Sequence, residues 1–187
     1  MDICRFIEKV NITDWQKFDY YYYFNYRCDS INSFAETVPP TLIALALVDE
    51  ESDELLCMEV LERLGKSRTD FIANALIGSN VRFAIGNDHA SSYYPVTREA
   101  LPFIIEVAVG GNHIVARACA INTLIDLYYF CPDVCPDELS DELMKFVKEA
   151  IRNMVEEHRD NFLRLAIDDA RTKSLISDLL DIIDESN

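Results

Sequence analysis

The chain has 187 residues, half of them apolar, and its 33 acidic and 17 basic side chains give it a formal net charge of −16 at pH 7. A chain of this size and apolar content can bury the core of one domain without metal ions or disulfide bonds. The charge argues against nucleic acid and anionic membranes as partners, since both are bound through cationic side chains that displace counterions.

The N-terminal segment has no basic flank followed by an apolar stretch, and no run approaches the roughly eighteen apolar residues of a membrane span. We therefore expect a cytoplasmic protein. Without an export signal, cysteines in apolar helical contexts are expected to be buried thiols rather than disulfide partners. The six cysteines are Cys4, Cys28, Cys57, Cys119, Cys131 and Cys135.

Two helices are predicted at the start of the chain, over residues 1 to 10 and 13 to 26, with Thr13 or Asp14 as N-cap of the second. The second holds a run of aromatic residues that must point all round a helix. We expect it to lie between the N-terminal helix and the next helix pair; an exposed tyrosine surface that holds an assembly together is the alternative. Its aromatic residues are Trp15, Phe18, Tyr20, Tyr21, Tyr22, Tyr23, Phe24 and Tyr26.

A helix pair is predicted over about residues 34 to 65. Pro39 and Pro40 lie in its first, apolar helix, and Ser52 caps its second helix. A short helix from Thr69 to Ile77 follows.

Helical periodicity fails between residues 79 and 97, and a long irregular loop is predicted from Ile85 to Pro95. Such loops are uncommon in compact domains and often carry function, although an ordinary connection between helix pairs is the plainer interpretation. Ser91 and Ser92 could act as nucleophiles, and the same loop contains the possible bases Asp88 and His89. A small enzyme that uses the 87–94 loop is therefore an alternative to a binding protein. The candidate partner contacts in the loop are Asn87, Asp88, His89, Tyr93 and Tyr94.

The second helix pair, over about residues 97 to 130, has the clearest pattern. Thr97 can cap its first helix, which contains Pro102, and Gly110 with Gly111 ends it. The second helix carries apolar residues at spacings of four, three, four and three, and further apolar residues widen the stripe. We therefore expect it to be buried on more than half its girth, at the centre of the fold. The stripe is Ile114, Ala118, Ile121, Ile125 and Tyr128, widened by Ala120, Leu124 and Leu127.

The rest of the chain is predicted to form helices that cap the fold, over about residues 140 to 185. An amphipathic helix begins at the Ser140 cap and ends near His158. Two short helices follow, from Asn161 to Asp169 and from Lys173 to Asp184.

The second helix pair resembles HEAT and armadillo-like repeats. Those repeats have a proline early in the first helix and a Val-x-Arg-x-x-Ala-x-x-x-Leu run in the second, which Val115, Arg117, Ala120 and Leu124 match. The first pair departs from the pattern, since Glu54 stands where the arginine is expected. The resemblance implies an all-α single domain, a HEAT-like α-solenoid of stacked antiparallel helix hairpins that binds proteins. Small acidic HEAT-like proteins are also similar in character to bacterial immunity proteins, which neutralise basic toxin domains.

The acidic residues concentrate in two windows that contain no lysine or arginine. Nine carboxylates lie between Arg27 and Arg63, and six more lie between Ala118 and Met144. This charge could serve solubility alone, or it could attract a basic protein partner. For the second interpretation the candidate contacts are Glu50, Glu51, Glu54, Glu59 and Glu62.

No cofactor, metal or catalytic site is expected. The three histidines, His89, His113 and His158, lie in separate segments, and Cys131 with Cys135 lacks a full set of zinc ligands. Glycine-rich phosphate loops and the common hydrolase signatures are missing from the sequence. The sequence therefore predicts a protein-binding module, an inhibitor or immunity-type protein rather than an enzyme.

Overall fold

The computed structural model describes residues 1–19, 33–49, 81–82, 84–87, 91–132, 137–168 and 170–184. Of the described residues 83% are helical, which confirms the all-α class. The six helices of this part of the chain are α1 (Ile3–Ile12), α2 (Phe34–Leu47), α3 (Thr97–Gly110), α4 (Ile114–Tyr129), α5 (Asp137–Asp168) and α6 (Ala170–Asp184). Three two-residue strands are β1 (Gly86–Asn87), β2 (Ser92–Tyr93) and β3 (Cys131–Pro132).

Helix α1 begins after Asp2, whose carboxylate accepts hydrogen bonds from the backbone N–H groups of Cys4 and Arg5. The predicted second helix does not begin at residue 13, because only a 3-10 turn from Gln16 to Phe18 forms there. The buried Trp15 explains the difference: its indole N–H donates to the carbonyl of Val10 at 2.8 Å, which holds the segment against the end of α1. Residues 20 to 26 of that prediction lie outside the described residues.

Helix α2 confirms the first helix of the predicted 34–65 pair, with Pro39 and Pro40 inside it. Its first N–H, at Phe34, donates to the carboxylate of Asp19 at 2.8 Å, so a residue from an earlier segment caps the helix. The second helix of this pair, and the helix predicted from Thr69 to Ile77, lie outside the described residues.

A small sheet occupies part of the segment that was predicted to be an irregular loop. Residues 81, 82, 84 and 85 are helical, and β1 then pairs with β2 in antiparallel fashion, Gly86 opposite Tyr93. Strand β2 also pairs with β3 in parallel, Ser92 opposite Cys131. At Gly86 an added Cβ would lie 2.3 Å from the carbonyl oxygen of Ser92, so the close pairing needs glycine. The loop prediction is wrong here because two-residue strands are too short to leave an alternating pattern in the sequence.

Helices α3 and α4 form the predicted hairpin, joined by three residues. Thr97 is the first residue of α3 rather than its cap, and Val96 occupies the cap position. The buried hydroxyl of Thr97 donates to the carbonyl of Ile85 at 3.1 Å, so it does not cap the helix. The turn is tight at Gly111, whose N–H donates to the carbonyl of Val107 at 2.8 Å. A Cβ at Gly111 would lie 2.6 Å from that oxygen and 3.2 Å from Cγ of Arg117.

Helix α4 is buried around most of its girth, as predicted. Ten of its 16 residues are buried, and the helix packs against α2, α3, α5 and α6. Charged side chains in α4 are limited to Arg117 and Asp126. Asp126 forms an ion pair with Arg82 at 2.6 Å, and the hydroxyl of Thr123 donates to the carbonyl of Cys119 within the helix.

Helix α5 begins at Asp137 rather than at Ser140 and continues to Asp168. The predicted end near His158 coincides with a kink in α5, where His158 has the non-helical angles φ −116° and ψ 16°. The guanidinium of Arg98, early in α3, lies 4.9 Å from the ring of Phe146 in the first half of α5. Val109, near the end of α3, and Leu165, near the end of α5, line the same cleft, so the two helices run in the same direction.

Helix α6 packs against both α5 and α4. The hydroxyl of Thr172 donates to the carbonyl of Leu165 and ties the start of α6 to the end of α5. One cluster of buried side chains extends from Phe6 in α1 to Ile183 in α6.

The prediction that the cysteines are buried holds for one of the three described cysteines and is wrong for the other two. Cys119 is buried as expected, but Cys4 and Cys131 are exposed, and all three are free thiols. Cys4 lies on the side of α1 opposite the buried Phe6 and Val10. Cys28, Cys57 and Cys135 lie outside the described residues.

Among the described residues, no helix combines the length and the hydropathy needed to cross a bilayer.

The burial of α4 predicts the effect of a charge at its centre. Ile121 is fully buried, so Ile121→Asp places an uncompensated carboxylate in the core and should lower the free energy of unfolding by about 4 kcal/mol or more. Tyr129, 67% exposed on the same helix, provides the control: Tyr129→Asp should change stability by less than about 1 kcal/mol. Urea unfolding followed by circular dichroism measures both. An Ile121→Asp protein with the parental unfolding midpoint would contradict the central position of α4.

Candidate partner-binding surface

Seven of the ten predicted contact residues lie outside the described part of the chain. They remain predictions from the sequence. They are Glu50, Glu51, Glu54, Glu59, Glu62, Asp88 and His89.

Of the other three predicted contacts, Asn87 and Tyr93 belong to the small sheet and Tyr94 directly follows it. Asn87 pairs with Ser92 across β1 and β2. Tyr93 is fully buried and Tyr94 is only 8% exposed, with its ring centre 5.9 Å from that of Phe34. Both tyrosine rings belong to the hydrophobic core, so we remove them from the candidate contact surface. Tyr93 lies in the central strand β2, between β1 and β3, and Phe34 of α2 packs against Tyr94.

The hydroxyl of Tyr93 is buried without a hydrogen-bond partner among the described residues. Removal from water, with a smaller contribution from the neighbouring Cys131, raises the pKa of this phenol far above its ordinary value. The group therefore stays protonated in the folded protein. A buried polar atom without a partner destabilises the folded state, and the apolar contacts of the tyrosine ring offset this cost.

Exposed carboxylates are frequent on α5 and α6. Glu142, Glu149 and Glu156 recur every seven residues, so they share one side of α5. Asp178 and Asp181 are exposed on α6. Of these five carboxylates, only Glu149 has an ion pair among the described residues, a 3.9 Å contact with Lys145. The others face solvent with their charge unneutralised.

One surface ion pair joins the two C-terminal helices. Both terminal nitrogens of the Arg159 guanidinium donate to the carboxylate of Asp184, at 3.0 and 2.7 Å. This contact lowers the pKa of Asp184 and raises that of Arg159. Because both groups are exposed, solvent screens the pair and its contribution to stability is small.

A cleft of about 300 Å³ lies where the end of α5 meets the turn between α3 and α4. It contrasts with the acidic surface because two guanidinium groups line it. Its lining residues are Val109, Arg117, Asn161, Arg164, Leu165 and Asp168.

The two arginines of the cleft are held by the surrounding structure. Nε of Arg117 donates to the carbonyl of Gly111 at 2.7 Å, and Nη2 of Arg164 donates to the side-chain oxygen of Asn161. Their other N–H groups have no partner among the described residues. Asp168 is exposed at the same cleft and forms no ion pair with a described residue. The cleft thus offers several donors and one carboxylate to a ligand.

This cleft is not predicted from the sequence. Arg117 stands out there only as the arginine of a repeat pattern, and no role is predicted for Asn161, Arg164 or Asp168. The spacing of the last three residues, i, i+3 and i+7, places them on one face of a helix and could have indicated a shared site. Their proximity to Arg117 depends on the packing of distant segments, which local sequence does not reveal.

No group of three or more metal-ligating side chains occurs among the residues that the structure describes. Comparisons of the whole chain found no matching protein-family model, no matching curated protein and no matching solved structure.

The buried phenol predicts a change in stability at alkaline pH. In the unfolded chain Tyr93 ionises near pH 10, whereas in the folded protein it stays protonated. The unfolded state then binds fewer protons, so the phenol makes stability fall as pH rises above about 10. Tyr93→Phe should remove this component, and at neutral pH it should leave stability unchanged or raise it by about 1 kcal/mol.

Unfolding midpoints between about pH 8 and 11 test this prediction. Tyr129→Phe, which alters an exposed ring, is the control. If the two variants lose stability in parallel as pH rises, the burial of the Tyr93 hydroxyl is contradicted.

Proposed function

We propose that this protein is a binding module for a basic protein partner, acting as an acidic inhibitor of the immunity type. The observation that carries the proposal is the unneutralised carboxylates exposed on α5 and α6, in a chain with a net charge of −16. A surface of this kind accelerates encounter with a cationic partner, because the potential acts before contact is made.

The helix packing supports a HEAT-like stack as the framework of this module. α3 packs on α5 and α4 packs on α6, an arrangement expected for two successive hairpins of an α-solenoid. α2 packs on α3 and α4, where the first helix of a preceding hairpin would lie. Stacked hairpins present long rows of helix surface, and such surfaces suit the recognition of another protein.

The position of the charge also supports partner binding over solubility alone. Nine carboxylates and no base lie between Arg27 and Arg63, while basic residues elsewhere form ion pairs between distant segments, such as Lys9 with Glu106 and Lys17 with Glu99. Solubility requires only a net charge and no particular distribution. A concentrated field is what electrostatic steering requires.

The test compares two variants that lose the same charge. Changing Glu50, Glu51, Glu54, Glu59 and Glu62 to glutamine should slow association with the partner by about tenfold or more, and wild-type association should fall steeply between about 50 and 500 mM salt. The second variant changes five exposed carboxylates of α5 and α6, the surface on which the proposal rests, to their amides: Glu142, Glu149, Glu156, Asp178 and Asp181.

A basic protein encoded by a neighbouring reading frame is the first partner to co-express, and stopped-flow fluorescence measures the association rate. A larger effect of the first set assigns the contact to the 50–62 segment, and a larger effect of the second set assigns it to α5 and α6. Equal effects indicate that the net charge of the whole chain attracts the partner. Association that does not change with salt would contradict the proposal.

A further inference from the structure

The cleft between the α3–α4 turn and the end of α5 concentrates cations in a chain that has nearly twice as many acidic as basic residues. Arg117 and Arg164 reach it from different helices, so their proximity is a product of the fold and not of local sequence. Their unused N–H groups are strong donors to anions, and guanidinium matches the planar geometry of a carboxylate.

Arg117 is positioned before any ligand arrives. Its Nε–H is fixed on the carbonyl of Gly111, and its Cγ lies only 3.2 Å from where a Cβ at Gly111 would stand. This contact uses one donor and leaves the terminal nitrogens to line the cleft. A preorganised guanidinium loses less conformational entropy when it binds an anion.

We infer that this cleft binds the C-terminal carboxylate of a polypeptide that carries a lysine or arginine close to its end. Arg117 and Arg164 donate to the carboxylate, and the amide nitrogen of Asn161 donates to a backbone carbonyl. Asp168 attracts the cationic side chain. The inference rests on the proposed function and deepens it, since it names the part of the basic partner that this site recognises.

Asp168 distinguishes a carboxylate from a phosphate group. A phosphate carries up to two negative charges at neutral pH, and an unpaired carboxylate in the same cleft repels it. The single charge of a carboxylate suffers less repulsion, and a neighbouring cation of the ligand offsets it. The mixed lining of two cations, one amide and one anion therefore favours a ligand that carries both signs of charge.

The shape of the cleft favours the end of a chain over a free small molecule. A volume of about 300 Å³ is at the lower limit of ligand pockets and holds one or two residues. Asn161, Arg164 and Asp168 are exposed, so the cleft is open on that side.

The experiment uses the whole protein and one peptide in two forms. The probe is an octapeptide of alanine, serine and lysine followed by a C-terminal lysine–leucine pair, labelled at its N-terminus with a fluorophore and prepared as the free acid and as the C-terminal amide. Fluorescence polarisation at about 150 mM salt gives the dissociation constants. We expect the free acid to bind about tenfold more tightly than the amide, because only the acid offers an anion to both arginines.

Arg164→Gln should abolish the difference between acid and amide. Lys173→Gln removes the same charge from an exposed position of α6 and is the matched control, which should keep the difference. Asp168→Asn should reduce the preference for peptides with lysine over alanine next to the terminal residue. Arg117 is left unchanged because it also supports the α3–α4 turn.

The outcomes separate this inference from the proposed function. Equal, salt-sensitive binding of acid and amide would overturn the carboxylate site and leave the acidic capture surface standing. Binding of neither peptide would also overturn the site, while the salt dependence of association with a basic protein tests the wider proposal independently. Tighter binding of an amidated phosphoserine peptide than of the free acid would show a phosphate site and overturn the inference.

Discussion

The rest of the structure depends on the burial of α4 by four other helices. Its fully buried Ile121 and Leu124 are surrounded on most sides, and Ala116 and Ala120 allow neighbouring helices to approach closely. Burying one large aliphatic side chain contributes roughly 1.5–3 kcal/mol, so a helix with ten buried residues is a major source of stability. Every other described helix except α1 packs directly against α4 or forms a hairpin with it.

This burial also determines where the charged groups lie. Helix α4 has only two charged residues, and each is at the edge of the core: Asp126 pairs with Arg82, and Arg117 bonds to the carbonyl of Gly111. Many of the described carboxylates are exposed on α5 and α6. The acidic surface and the arginine-lined cleft are therefore two consequences of one packing arrangement. The first would attract a basic protein over a distance, and the second would recognise the end of its chain at contact.

The features that were predictable from the sequence are those encoded in long local patterns. The stripe through Ile121 identified α4 and its central position, because burial on many sides leaves few polar residues. The small sheet was not predictable, since β1 and β2 have two residues each and β3 joins them from distant sequence. For the same reason Tyr93 looked like a surface residue and lies in the core. The cleft escaped prediction because Arg117 and Arg164 meet only through tertiary packing.

Native-state hydrogen exchange of the backbone amides tests the central claim, that α4 is the core on which the other helices depend. Amides from Ala118 to Leu124 should exchange most slowly, at the rate of global unfolding, because all the helices around them must separate before water reaches them. Amides near the exposed Leu163 and Ile167 should exchange faster through local opening. Exchange in the middle of α4 that is as fast as at Leu163 would contradict the account.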